Sequence, residues 1–129
     1  MFLPVVAFCL GQNTPERKNQ MPPPPCVILE GLDGVGKTTT IALLRERLGA
    51  VQLRTPPDEI RPYRSYFDAH PTTLRQGYYE VGNFLAGAQM QKVIEGGTPV
   101  VCDRFYASTK AYSLAYDTPL PPTDSAVYQ

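Results

Sequence analysis

A short apolar run, "CVILE" (26–30), leads directly into "GLDGVGKTT" (31–39), which packs three glycines, one carboxylate and one lysine between Gly31 and Lys37. The unbroken, β-branched character of 26–30 fits a strand buried on both faces, which implies a parallel sheet. From Gly36 onward the spacing becomes helical, with Ile41, Leu44 and Leu48 on one face and Gly49 placed as the stop. The intervening loop matches G-x-x-x-x-G-K-[ST] through Gly31, Gly36, Lys37 and Thr38. Glycines let such a loop curl until its N–H groups face a triphosphate, and the helix N-terminus adds partial positive charge. Lys37 then reaches the β- and γ-phosphates, and the Thr38 hydroxyl ligates Mg²⁺. A chance match in a chain this long has odds on the order of 1 in 200, and here the match also has the strand and helix it needs on either side.

The other elements follow the same alternation. "AVQLR" (50–54) reads as a second strand ended by Pro56 and Pro57. A helix is expected after Pro71, with Thr73 and Gln76 as a capping box and a stripe of Leu74, Tyr78, Val81, Leu85 and Ala88. Gly77, Gly82 and Gly87 within it point to close backbone approach. "TPVVCD" (98–103) is a third buried strand, and "RFYASTKAYSLAY" opens another helix with Ala107, Ala111, Leu114 and Ala115 available for packing. Strands alternating with helices predict an α/β parallel sheet.

Composition places limits on partners. Lys plus Arg and Asp plus Glu are 12 each, so no broad electrostatic hold on nucleic acid or a membrane surface is expected, and an anionic ligand must meet a local site. Cys9, Cys26 and Cys102 lack CxxC or histidine partners and suit buried thiols in a reducing, intracellular compartment. Nine of the 14 prolines lie at positions 4, 15, 22–25, 119, 121 and 122, which leaves about 26 to 116 with ordinary globular composition and residues 1–25 as a flexible or targeting extension. Its run "FLPVVAFCL" is too short to span a bilayer and lacks a basic flank, and Pro22 to Pro25 reads as a stiff spacer.

A second constellation is "VVCDRF", which puts Asp103 at the C-terminal end of a strand, where ligands of open α/β sheets gather, with Arg104 next to it. Asp103 can hold Mg²⁺ through water, and Arg104 offers a planar fork for a second phosphate. An arginine beside the magnesium acid suits a phosphate acceptor better than water. A phosphate monoester is largely ionised at neutral pH, so it needs no general base, only relief of its repulsion from the triphosphate. Asp33 is unsuited to triphosphate and better suited to a sugar hydroxyl.

"EGLDGVGKTT" together with "VVCDRFYASTKAYSLA" resembles the thymidylate kinase family of nucleoside monophosphate kinases, over about residues 26 to 116. "LRTPPDEIRPYRSYFD" and "GYYEVGNFLAGAQ" are most similar to its mitochondrial UMP-CMP kinase branch. The resemblance implies a P-loop NTPase three-layer fold and transfer of the ATP γ-phosphate to a pyrimidine nucleoside monophosphate, with Mg²⁺. Gly31, Gly34, Gly36, Lys37, Thr38 and Thr39 would cradle ATP, with Lys37, Asp103 and Arg104 catalytic and Thr38 and Asp103 on the metal. Asp33 would contact the acceptor sugar, Arg104 its phosphate, Tyr79 and Ser108 the base, and Tyr112 the sugar. Asn83 would also bind the acceptor, standing where thymidylate kinases carry a base-facing arginine, and Gly34 replaces a P-loop arginine found in some members. Arg61 and Arg64, with Arg75 behind them, are candidates for the arginine after the second strand.

The resemblance also implies a mitochondrial or otherwise cytoplasmic setting, and it allows a homodimer in the full-length form. It calls for about five parallel strands and a lid, whereas three strands are visible before "DTPLPPTDSAVYQ". The span 26–129 is therefore expected to be an incomplete kinase domain. A nucleotide-binding fragment without turnover is the alternative. A GTPase switch is disfavoured because no Asn-Lys-x-Asp element occurs.

Overall fold

The computed structural model of the chain describes the backbone of residues 5–9 and all of residues 21–115. The expectations for the proline-rich stretch after Tyr116 and for most of the extension lie outside these residues. Strand β1 is Val5–Cys9 and β2 is Cys26–Glu30; helix α1, Lys37–Leu48, follows, and then β3, Val51–Arg54. A single 3₁₀ turn at Arg61–Tyr63 leads into the short helix α2, Arg64–Asp68. The long helix α3, Thr72–Glu95, then precedes β4, Val100–Asp103, and α4, Tyr106–Ala115.

The described sheet has the order β1-β2-β4-β3. Strand β4 lies between β2 and β3 and runs parallel to both, with Cys26 opposite Val100 and Val51 opposite that same residue on the other side. This alternation of apolar strands and crossover helices yields the parallel sheet expected from the sequence. Side chains of a strand point alternately to its two faces, and the core divides accordingly. Cys26, Ile28, Val100 and Cys102 pack with Ala86 and Met90 of α3. Val27, Leu29 and Val101 pack with Ile41 of α1 on the opposite face. Two helical layers therefore cover one sheet, and Leu29, Val100, Val101 and Cys102 lose all contact with solvent. Each such burial is worth about 1.5–3 kcal/mol.

Four local expectations are corrected. Residues 1–25 are not wholly an extension, because Val5–Cys9 pairs antiparallel with β2, Val5 opposite Glu30 and Cys9 opposite Cys26. The physical reason is that among the described residues β2 has only one parallel neighbour, and the apolar run satisfies the backbone groups of its other edge. The capping box at Thr73 does not form: Pro71 is the N-cap, its carbonyl accepting the N–H groups of Leu74 and Arg75. On α3 the buried face is Tyr78, Gly82, Asn83, Ala86 and Met90, whereas Leu74 and Val81 are exposed. Small residues set that face: a Cβ on Gly82 would come within 3.3 Å of the Pro56 side chain, while at Gly77 it would meet nothing. On α4 likewise Thr109 and Ser113 point inward, and Ala107, Ala111 and Leu114 face out. The inward side of α4 meets the polar Asn83, which favours hydroxyls over aliphatic side chains there.

Helix α1 ends as its glycine foretold. Gly49 adopts φ 60°, and the amides of Gly49 and Ala50 bond to the Glu46 and Arg45 carbonyls, the double closure of a Schellman cap. Cys26 and Cys102 are buried thiols outside any disulfide, as their isolation in sequence implied. Among the described residues no helix is long and apolar enough to cross a membrane.

Candidate active site

The loop between β2 and α1 is shaped by its glycines. Gly34 and Gly36 have φ of 80° and 90°, a region that side chains disfavour, and a Cβ on either would meet no neighbour. Backbone conformation alone therefore explains these two residues. Helix α1 begins at Lys37 with no side-chain cap and no acidic residue in its first turn, so its N-terminal amides are left to an anion. Lys37 is 7% exposed, and its ammonium donates to the carbonyls of Gly31 at 3.0 Å and Leu32 at 2.6 Å. It also lies 3.9 Å from the Asp33 carboxylate. The lysine thus draws the loop closed over its own charge. Thr38 and Thr39 occupy the first helical turn and are exposed.

The end of β4 meets this loop. The Arg104 N–H donates to Leu29 O at 2.9 Å, carrying the ladder one residue past the strand, and there the chain kinks, with Arg104 at φ 65°. A left-handed conformation costs a residue with a side chain about 1–2 kcal/mol. It aims the guanidinium at Asp33, 2.6 Å away, and at Ser108 Oγ, 3.4 Å away. Glu30, 7% exposed, stabilises the kink by accepting the Phe105 N–H at 2.8 Å and the Ser108 hydroxyl.

Asp103 is oriented differently. Its Oδ1 is buried and has no hydrogen-bond partner, although its backbone carbonyl accepts the Thr55 N–H. An unsatisfied buried carboxylate oxygen is costly and suits a cation or ordered water. This orphaned acceptor and the exposed Thr38 hydroxyl are oxygen donors of the kind Mg²⁺ takes. No cluster of three or more His, Cys, Asp or Glu occurs among the described residues.

From Asp33 and Arg104 a cleft of about 400 Å³ opens between α3 and α4. Tyr79 lies on its α3 side and Ser108 and Tyr112 on its α4 side. The Tyr79 hydroxyl donates to Asp68 at 2.9 Å, and Asp68 also takes the Arg64 guanidinium at 3.3 Å. Burial, reinforced by that acceptor, pushes the Tyr79 phenol above its ordinary pKa. Neighbouring Tyr78 is core instead, stacked 4.9 Å from Phe67 and bonded to Ile60 O. Three arginines against two aspartates line the cleft, a positive balance suited to one phosphate.

Comparison with known proteins bears on this geometry directly. The thymidylate kinase family profile matches residues 29–119, most of the chain. The chain belongs to the thymidylate kinase family. It is 39% identical over 66 residues to the human (Homo sapiens) protein "UMP-CMP kinase 2, mitochondrial", covering 51% of this chain and 15% of that protein. It is 35% identical over 94 residues to "Probable thymidylate kinase" of Natronomonas pharaonis, covering 67% of this chain and 48% of the relative. The chain therefore spans less than half the length of either.

As a thymidylate kinase family member it carries the P-loop fold expected from sequence. Of the six residues expected at the acceptor, Asp33, Tyr79, Arg104, Ser108 and Tyr112 share the cleft. Asn83 does not. It is fully buried beneath the cleft, where its amide donates to Thr109 Oγ1 at 2.9 Å and ties α3 to α4. Helical phase turns it toward the core, which its neighbours' hydropathy had concealed. Arg64 and Arg75 line the cleft and Arg61 does not. Glu30 was missed as a functional side chain. Its signal was a carboxylate ending an otherwise apolar strand, a place where a buried charge needs hydrogen-bond donors.

Proposed function

We propose that this chain carries the phosphate loop and acceptor site of an ATP-dependent nucleoside monophosphate kinase acting on pyrimidine nucleotides, UMP and CMP and their deoxy forms ahead of dTMP. The observation that supports it best is the 2.6 Å approach of Arg104 to Asp33, which joins the phosphate loop to the mouth of the cleft. An acceptor phosphate on Arg104 would sit beside the triphosphate held by the α1 amides and Lys37. Its oxygen attacks the γ-phosphorus while the bond to the β–γ bridging oxygen breaks and ADP leaves. The acceptor is a dianion, so no base is required. Lys37 and Arg104 neutralise the converging charges, and the narrow loop aligns them. Mg²⁺, held near Thr38 and Asp103, would supply further charge neutralisation. Tyr79 offers an aromatic face to the base, and Asp33 a carboxylate to a sugar hydroxyl. The name of the human relative supports a mitochondrial setting as part of the same proposal.

Calorimetric titration and an ADP-release assay test this reading. Binding of ATP and of UMP or CMP is expected, with ADP release dependent on the monophosphate and both lost in Lys37→Met. Preferential binding of GTP, or transfer only to water, would overturn it.

A further inference from the structure

The geometry points to Glu30 as a positioning residue that sets the hydrogen-bond polarity of Ser108, and through it selects ligands that present an N–H to the cleft. The inference rests on the acceptor reading above. Glu30 ends β2, is 7% exposed, and sends its two oxygens to different partners on one turn of chain. Oε1 accepts the Phe105 N–H at 2.8 Å, and Oε2 accepts the Ser108 hydroxyl. A carboxylate offers no proton, so at this contact Ser108 must be the donor. A hydroxyl has a single proton and two lone pairs. With its proton committed to Glu30, Ser108 can only accept from any other partner, and it already faces the Arg104 guanidinium, a donor, at 3.4 Å.

Ser108 nevertheless lines the cleft. A ligand placed against it meets a lone pair and no proton. The complementary group is an N–H, such as the imide of uracil or the amino group of cytosine, whereas a carbonyl or bare ring nitrogen would be left facing an acceptor. Leaving a polar group so mismatched costs about tenfold in affinity or more. Since Glu30 is buried behind the α4 turn, its effect on the ligand is transmitted through the Ser108 hydroxyl.

Glu30→Gln tests this with little change of shape. The amide oxygen can still accept the Phe105 N–H, while the amide nitrogen donates to Ser108 and frees the serine proton to turn into the cleft. The probes are UMP and its N3-methyl derivative, which lacks the imide N–H, titrated calorimetrically with ATP affinity and thermal melting as controls. The unmodified chain should prefer UMP by about tenfold, and Glu30→Gln and Ser108→Ala should each abolish that preference. In a double-mutant cycle the two changes should be non-additive, the double variant behaving as Ser108→Ala alone. A preference that survives in Ser108→Ala reflects methyl bulk and overturns the proposal, even should Glu30→Gln fail to fold. Additive effects, or equal weakening of both ligands in Glu30→Gln, assign Glu30 a purely structural role and also overturn it. A chain that binds ATP and neither monophosphate removes the acceptor reading itself, and the proposal with it.

Discussion

Charge in the site is held by short-range pairing. Asp33 faces Arg104, Asp68 faces both Arg64 and Tyr79, and Lys37 is bound to loop carbonyls. On the proposed reading, an entering phosphate dianion would compete with these carboxylates for guanidinium. Tyr79 gives the arrangement a pH signature. Burial comes first and Asp68 second among the causes that hold its phenol neutral above the ordinary range. A folded-state pKa raised above the unfolded one contributes stability that is fully present below the unfolded value and disappears as pH rises through the folded value. Stability should therefore be insensitive to Tyr79 around neutrality and fall in the alkaline range. Following phenolate absorbance through an alkaline titration, Asp68→Ala should move Tyr79 to lower pKa, with Tyr78, which Asp68 raises by charge alone, moving in the same direction. An unchanged titration would show that Asp68 does not hold that proton.

At the level of elements, most boundaries could be read from the chain while several faces could not. Strand β2, the glycine loop, α1 and its Gly49 stop, and β4 with Asp103 at its end follow local rules of propensity, capping and buried runs. The inward face of α3 depends instead on what it packs against. Gly82 nestles on Pro56, a contact set by the turn after β3 and invisible in periodicity. Of the cleft-lining residues, Arg104, Ser108 and Tyr112 were legible in the pattern following Asp103; the contacts of Glu30 were not, because its partners lie 75 and 78 positions away. Asn83 shows the same limit, and its role as a strut leads to a prediction. Asn83→Ala removes the hydrogen bond from its Nδ2 to the Thr109 hydroxyl and should cost about 1–3 kcal/mol in urea unfolding. Relative affinity for UMP and CMP should not change. A reversal of base preference at unaltered stability would restore Asn83 to the base.

Across the whole molecule the sheet is the element most sensitive to its borders. Of its two outer strands, β3 is largely exposed but carries Gln52 and Arg54, polar side chains that discourage further pairing. The opposite side is different: the five residues of β2 are all buried, and the backbone groups on its far edge are taken by the second outer strand, β1, over the register from Glu30 to Cys26. The pairing connects segments flanking residues 10–25, with no tight-turn signal to announce it, which is why the sequence suggested only an apolar extension. Its energetic role follows from hydrogen bonding. Without β1, an apolar strand would present unpaired N–H and C=O groups at an edge, a template for a second copy. A chain beginning at Met21 should therefore melt at lower temperature and associate in a concentration-dependent manner, visible by light scattering at protein concentrations where the intact chain remains monodisperse. The phosphate loop itself hangs from the end of β2, so its ATP affinity should decline in parallel with the melt. Should the shortened chain stay monomeric with the same melting temperature, β1 contributes nothing to the sheet, and the border of β2 is protected by some other part of the protein.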